Sequence, residues 1–163
     1  METATRPYAF SRKVFCEGMR DGVPIALGYF AVSFSLGIAA RSAGLTPIQG
    51  FIASLFNNAS AGEYAAFSLI AAGATYVEVA IITLIANARY LLMSCALAQR
   101  FAPGTPFFHR LIIGYDVTDE LFGITIARPG CLNPFYTYGA ITLAAPAWAM
   151  GTALGIVAGN LLP

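Results

Sequence analysis

The chain has 163 residues, of which 58% are hydrophobic and 10% charged, with a formal net charge of +1. Soluble domains carry roughly 25% charged residues, and a particle this small has the greatest need of polar cover because its surface is large for its volume. The composition therefore excludes a water-soluble globular domain, and the near-neutral balance argues neither for nucleic acid nor for a strongly acidic partner, so no nucleic acid is expected. What remains is an all-α, polytopic helical membrane protein, expected to form a single transmembrane domain over 1–163.

Residues 1–22 form a basic amino-terminal segment with Arg6, Arg12, Lys13 and Arg20, which the positive-inside rule assigns to the cytoplasm. An uncharged run of 18 residues follows over 23–40, enough to cross a hydrocarbon core of about 30 Å at about 1.5 Å per residue. It exceeds the ~7–15-residue apolar core of a cleavable signal, and more apolar runs follow, so it reads as a retained span. Arg41, Ser42 and Gly44 end it. Thr46-Pro47 then marks a helix start with proline at the first helical position.

The stretch 47–72 consists of two apolar pieces, each too short to span, around the interruption Asn57-Asn58-Ala59-Ser60-Ala61-Gly62-Glu63. A longer apolar run over 75–98 is punctuated by Glu78, Asn87 and Arg89. The segment 99–110, rich in proline and basic residues, is the clearest interior loop. A further candidate span covers 111–127, interrupted by Asp116, Asp119 and Glu120, and a last one covers 135–162 with a kink expected at Pro146. With both the amino terminus and the 99–110 loop in the cytoplasm, 47–72 enters and leaves on one side as a broken or re-entrant pair of half-helices. Two ordinary spans there would instead put the loop outside. The basic residues favour the first arrangement.

Three polar groupings and one stripe of small residues stand out against this apolar background. Non-helical backbone at membrane depth survives only inside protein or beside a wet cavity, and transporters aim such half-helix amino termini at anionic substrate groups. The interruption therefore supplies Asn57, Asn58, Ser60, Gly62 and Glu63 as candidate substrate-binding residues; a plain interfacial loop is the alternative. Asn87 and Arg89 join them, since an arginine in an apolar run costs roughly 2.5–3.5 kcal/mol and needs a partner or water, unless it snorkels to headgroups. Asp116, Asp119 and Glu120, at offsets of three and four, are expected on one helix face. Together with Glu78 they are candidates for a proton or ion relay, or for a partner to Arg89, the alternative being a wet headgroup location. Gly151, Gly155 and Gly159 recur every fourth position and form a stripe for close helix packing.

Cys16, Cys95 and Cys131 are odd in number and lack metal-ligand spacing, so they read as unpaired thiols, with no metal and no cofactor expected. The chain carries no GxSxG, HExxH or P-loop pattern and a single histidine, His109; the expectation is that it is not an enzyme.

Several of these residues resemble the motifs of the AzlC-type branched-chain amino acid permeases. Ser60-Ala61-Gly62-Glu63-Tyr64 is similar to the family's small-small-Gly-Gln-aromatic motif. Asn87-Ala88-Arg89-Tyr90-Leu91-Leu92-Met93-Ser94 resembles its Asn-x-Arg-aromatic block, and Thr118-Asp119-Glu120 its Thr-Asp-Glu motif. The tail 148–163 resembles its Trp-x-x-Gly-Thr…Gly-Asn-Leu-Leu-Pro stretch. Order and spacing fit from about residue 14 onward. The resemblance implies a multi-pass transporter of the bacterial cytoplasmic (inner) membrane that exports leucine, valine, isoleucine or related amino acids with a small AzlD-like membrane subunit. Glu63 departs from the family's Gln, and Ala88 from its commoner Leu. The chain stops at Pro163 where the family continues, so a truncated, inactive permease fragment or a non-transporting membrane scaffold is the competing expectation.

Overall fold

The computed structural model describes residues 8–161. Among them are eight α-helices and no β-strand: α1 (Arg12–Ser42), α2 (Pro47–Phe56), α3 (Ser60–Ala71), α4 (Tyr76–Ala86), α5 (Arg89–Arg100), α6 (Phe107–Tyr115), α7 (Asp119–Ile126) and α8 (Pro134–Gly159). The protein is all-α, as its composition requires. Its polarity is the reverse of a soluble protein's. Tyr76, Leu92, Phe107 and Leu27 are largely exposed, while Ser33, Ser54, Thr125 and Thr152 are completely buried. Only a lipid solvent rewards that arrangement, because it leaves apolar faces outside and keeps polar groups within the bundle. By length and composition α1 and α8 are each able to cross a membrane, and α4 with α5 are together long and apolar enough for a broken span or a re-entrant loop.

The boundaries differ from those read off the apolar runs. Residues 12–22 are not a separate segment but the first turns of α1, since charged residues are as compatible with helix as apolar ones. The run 75–98 is two helices, interrupted at Asn87-Ala88. The run 111–127 is also two, α6 and α7, neither long enough to span alone. Thr118 causes that second break: its side chain accepts a hydrogen bond from the Leu121 amide (3.3 Å) and caps α7. Asp116 is the C-cap of α6, whereas Asp119 and Glu120 lie in the first turn of α7. The three carboxylates therefore do not share one continuous helix face. Asp119 and Glu120 instead stand where a helix dipole favours negative charge.

The chain divides into two compact units, Met1–Ile25 with Tyr90–Leu143 and Ala26–Arg89 with Ala144–Pro163. In the first, Leu97, Phe101, Ile113, Val117 and Leu132 form the core. Arg100 donates to the carbonyls of Ile126, Arg128 and Gly130, at 2.9, 2.6 and 3.1 Å, and so closes the carboxyl end of α7. Arg128 pairs with Glu17 (2.8 Å) and lies over the Tyr136 ring, whose hydroxyl donates to Asp21 (2.7 Å). In the second unit Ala40, Phe67 and Ile156 form a small core. There the glycine stripe of α8 packs on α1: Gly151 meets Phe30 and Ser33, Gly155 meets Phe34 and Gly37, and Gly159 meets Arg41. A Cβ on Gly155 would lie 3.0 Å from the Gly37 Cα, so the two backbones touch only because both positions lack side chains. The stripe is thus spent within the chain. Cys16, Cys95 and Cys131 are unpaired and exposed.

Candidate functional site

The second unit contains most of the residues singled out at the sequence level. Helix α2 starts with a complete capping box, Thr46 accepting from the Gln49 amide while the Gln49 side chain accepts from the Thr46 amide. It ends at Asn57, and α3 begins after Ala59 with no side-chain cap. The amides of Ser60, Ala61 and Gly62 therefore lack the side-chain acceptor that Thr46 supplies to α2, at an end where the helix dipole is positive. Helix α4 ends at Asn87 in the same way. The two breaks meet: the Asn87 Nδ2 donates to the Asn57 Oδ1 at 3.0 Å. Gly62 makes that meeting sterically feasible, because any side chain there would overlap the Asn87 amide. Ser60 is exposed and Asn58 half-buried in the connection between α2 and α3.

A cleft of about 780 Å³ runs along the α3–α4 hairpin, from the turn at Gly73 and Ala74 to the breaks. Phe56, Ala66, Ile70, Val79, Ala80 and Leu84 make its walls apolar, and Asn57, Thr83 and Asn87 supply polar groups toward the breaks. The Oδ1 of Asn87 and the Oγ1 of Thr83 are buried with no hydrogen-bond partner among the described residues. Buried polar atoms without partners are uncommon and mark a place where something else supplies the bond.

Glu63 lies behind this cleft rather than on its wall. Only 1% exposed, its carboxylate accepts from the Ser54 hydroxyl (2.5 Å), the Trp148 indole N–H (2.6 Å) and the Thr152 hydroxyl (3.1 Å). Helices α2, α3 and α8 are thereby tied at one point. Tyr29 of α1 packs edge-on against Trp148, ring centroids 5.3 Å apart. Arg89 is exposed at the first position of α5. Glu78 closes a second capping box, its carboxylate accepting from the Thr75 amide at 2.8 Å. Glu78 is thus exposed and caps the start of α4. Asp116, Asp119 and Glu120 belong to the other unit. Sequence reasoning missed Thr83, Trp148 and Thr152 as members of this region. Trp148 and Thr152 lie 85 and 89 positions from Glu63, a separation no local pattern reveals.

The sequence profile of the AzlC protein matches residues 24–162. The chain belongs to the AzlC family. Its relatives include an uncharacterized membrane protein of Archaeoglobus fulgidus, 28% identical over 91% of this chain and 64% of the relative. The inner membrane protein YgaZ of Escherichia coli is 24% identical over 98% of this chain and 67% of its own length. An uncharacterized membrane protein of Helicobacter pylori is 23% identical over 91% and 65%. The AzlC chain described here thus spans about two-thirds of the length of these relatives. No solved structure matches it. Family membership and the apolar exterior agree that this is a membrane protein.

Proposed function

We propose that this AzlC chain forms part of a transporter that exports branched-chain amino acids across the bacterial cytoplasmic (inner) membrane, acting with a small AzlD-like membrane subunit. One observation carries the reading: two helix breaks, joined by Asn57 and Asn87, lie at the polar end of an apolar cleft. That combination suits a molecule with an aliphatic body and a charged head. The substrate carboxylate lies against the uncapped amides of Ser60, Ala61 and Gly62, with Arg89 contributing positive charge. Its ammonium group donates to the Asn87 Oδ1 and the Thr83 hydroxyl, and its side chain lies along Ile70, Val79 and Leu84. Glu63 holds α3 in position from behind and does not touch substrate.

The test is efflux of labelled leucine, valine and isoleucine from proteoliposomes holding this chain with the small subunit. Saturable efflux of all three is expected. Asn87→Ala and Arg89→Ala should each reduce it about tenfold, the loss of one charge-assisted hydrogen bond. Undiminished efflux in Asn87→Ala removes the proposed site, and wild-type vesicles that release none of the three remove the substrate class.

A further inference from the structure

The first unit carries a second cleft, unrelated to the helix breaks. It has a volume of about 560 Å³ and lies between α5 and α6. Leu91, Ala98, Phe107 and Leu111 give it apolar walls, and Cys95 opens onto it. Ser94 fixes the two helices against each other, its hydroxyl lying 2.8 Å from the Gly114 carbonyl oxygen. Arg110 stands at the end nearest the α5–α6 connection. Its Nη1 donates to the Ala98 carbonyl at 3.0 Å, and its guanidinium carbon lies 5.8 Å from the centre of the Phe101 ring. These two contacts hold the guanidinium in place but occupy only one of its N–H groups. Among the described residues no acceptor meets the others, and no carboxylate pairs with it.

The other basic side chains of this region are committed. Arg100 serves three carbonyls, Arg128 serves Glu17, and His109 bonds the Tyr138 hydroxyl (2.8 Å). Of these four, Arg110 alone lines the cleft, and it has donors to spare. Phe107 and Phe108 flank it and are 75% and 65% exposed. A long basic side chain near the end of an apolar helix reaches to the headgroup layer. An apolar groove leading away from a fixed guanidinium at that depth complements one kind of molecule, with an anionic head and an acyl tail. Guanidinium and phosphate oxygens match in bidentate geometry.

We propose that the α5–α6 cleft is a binding site for an anionic phospholipid, its phosphate on Arg110 and one acyl chain between α5 and α6. The site is separate from the substrate cleft and stands whether or not the chain exports amino acids. The test is native mass spectrometry of the full chain released from nanodiscs containing equal amounts of phosphatidylglycerol and phosphatidylcholine. The wild type should retain phosphatidylglycerol about fivefold over phosphatidylcholine, the preference one basic residue gives at a membrane surface. Arg110→Gln should abolish the preference and Arg110→Lys should keep part of it. Cys95→Trp, which fills the groove without touching the charge, should lower retention of both lipids. Equal retention of the two lipids by the wild type would show unselective boundary lipid and overturn the proposal. So would a preference that survives Arg110→Gln, or retention that Cys95→Trp leaves unchanged.

Discussion

Replacing Glu63 with alanine removes the acceptor shared by three buried donors on two other helices. Thr152 retains a long contact to the Trp148 carbonyl (3.5 Å), so its loss is partly offset. The Trp148 indole and the Ser54 hydroxyl have no other acceptor shown, and each buried donor left unpaired costs about 1–3 kcal/mol. The two together give a destabilisation of about 2–6 kcal/mol, to which the vacated side-chain volume adds. Glutamine keeps the shape and one acceptor oxygen, and a hydroxyl is able to turn and accept from its amide, so Glu63→Gln should cost only about 1 kcal/mol. Trp148 is the chain's single tryptophan, so its fluorescence reports on this contact directly. Unfolding by sodium dodecyl sulfate in mixed micelles, followed at that signal, should rank the proteins wild type, Gln, Ala in falling stability. An alanine variant within about 0.5 kcal/mol of wild type, the range of an ordinary surface change, would refute the reasoning that this carboxylate ties α2, α3 and α8 together.

Gly155→Leu forces a side chain into the backbone of α1 at Phe34 and Gly37; overpacking of this kind costs about 1–3 kcal/mol or more, and the same micelle titration should show it, whereas Gly28→Leu, with open space around it, should be close to neutral. Thr118→Ala removes the cap of α7 and should cost about 1 kcal/mol, with Thr118→Asp restoring most of it, as read by unfolding and by amide exchange at Leu121.

The sequence made the broad architecture legible because lipid imposes so simple a rule. Long uncharged runs must be helices, and α1 and α8 appear close to where those runs lie. The break between α2 and α3 was equally visible, since Asn57-Asn58 interrupts apolar residues on both sides. Local caps are legible too. Thr75-x-x-Glu78 has the spacing of a capping box and Thr118 directly precedes two acids, although pattern alone does not separate a capping acid from a relay candidate. What pattern could not supply were the distant pairings: Asn57 with Asn87, Glu63 with Trp148 and Thr152, and Arg100 with the end of α7. Each joins residues 26 or more positions apart, and only tertiary packing brings them together.

Lipid covers the exposed apolar faces of α1, α4, α5 and α8, while serine, threonine and glutamate groups such as Ser54, Thr152 and Glu63 lie inside. Fractionation of bacteria expressing the full chain tests this most directly, with an alkaline carbonate wash followed by sizing of the extract. The chain should stay in the membrane pellet and come out only with detergent; a monodisperse species in detergent-free buffer would contradict it.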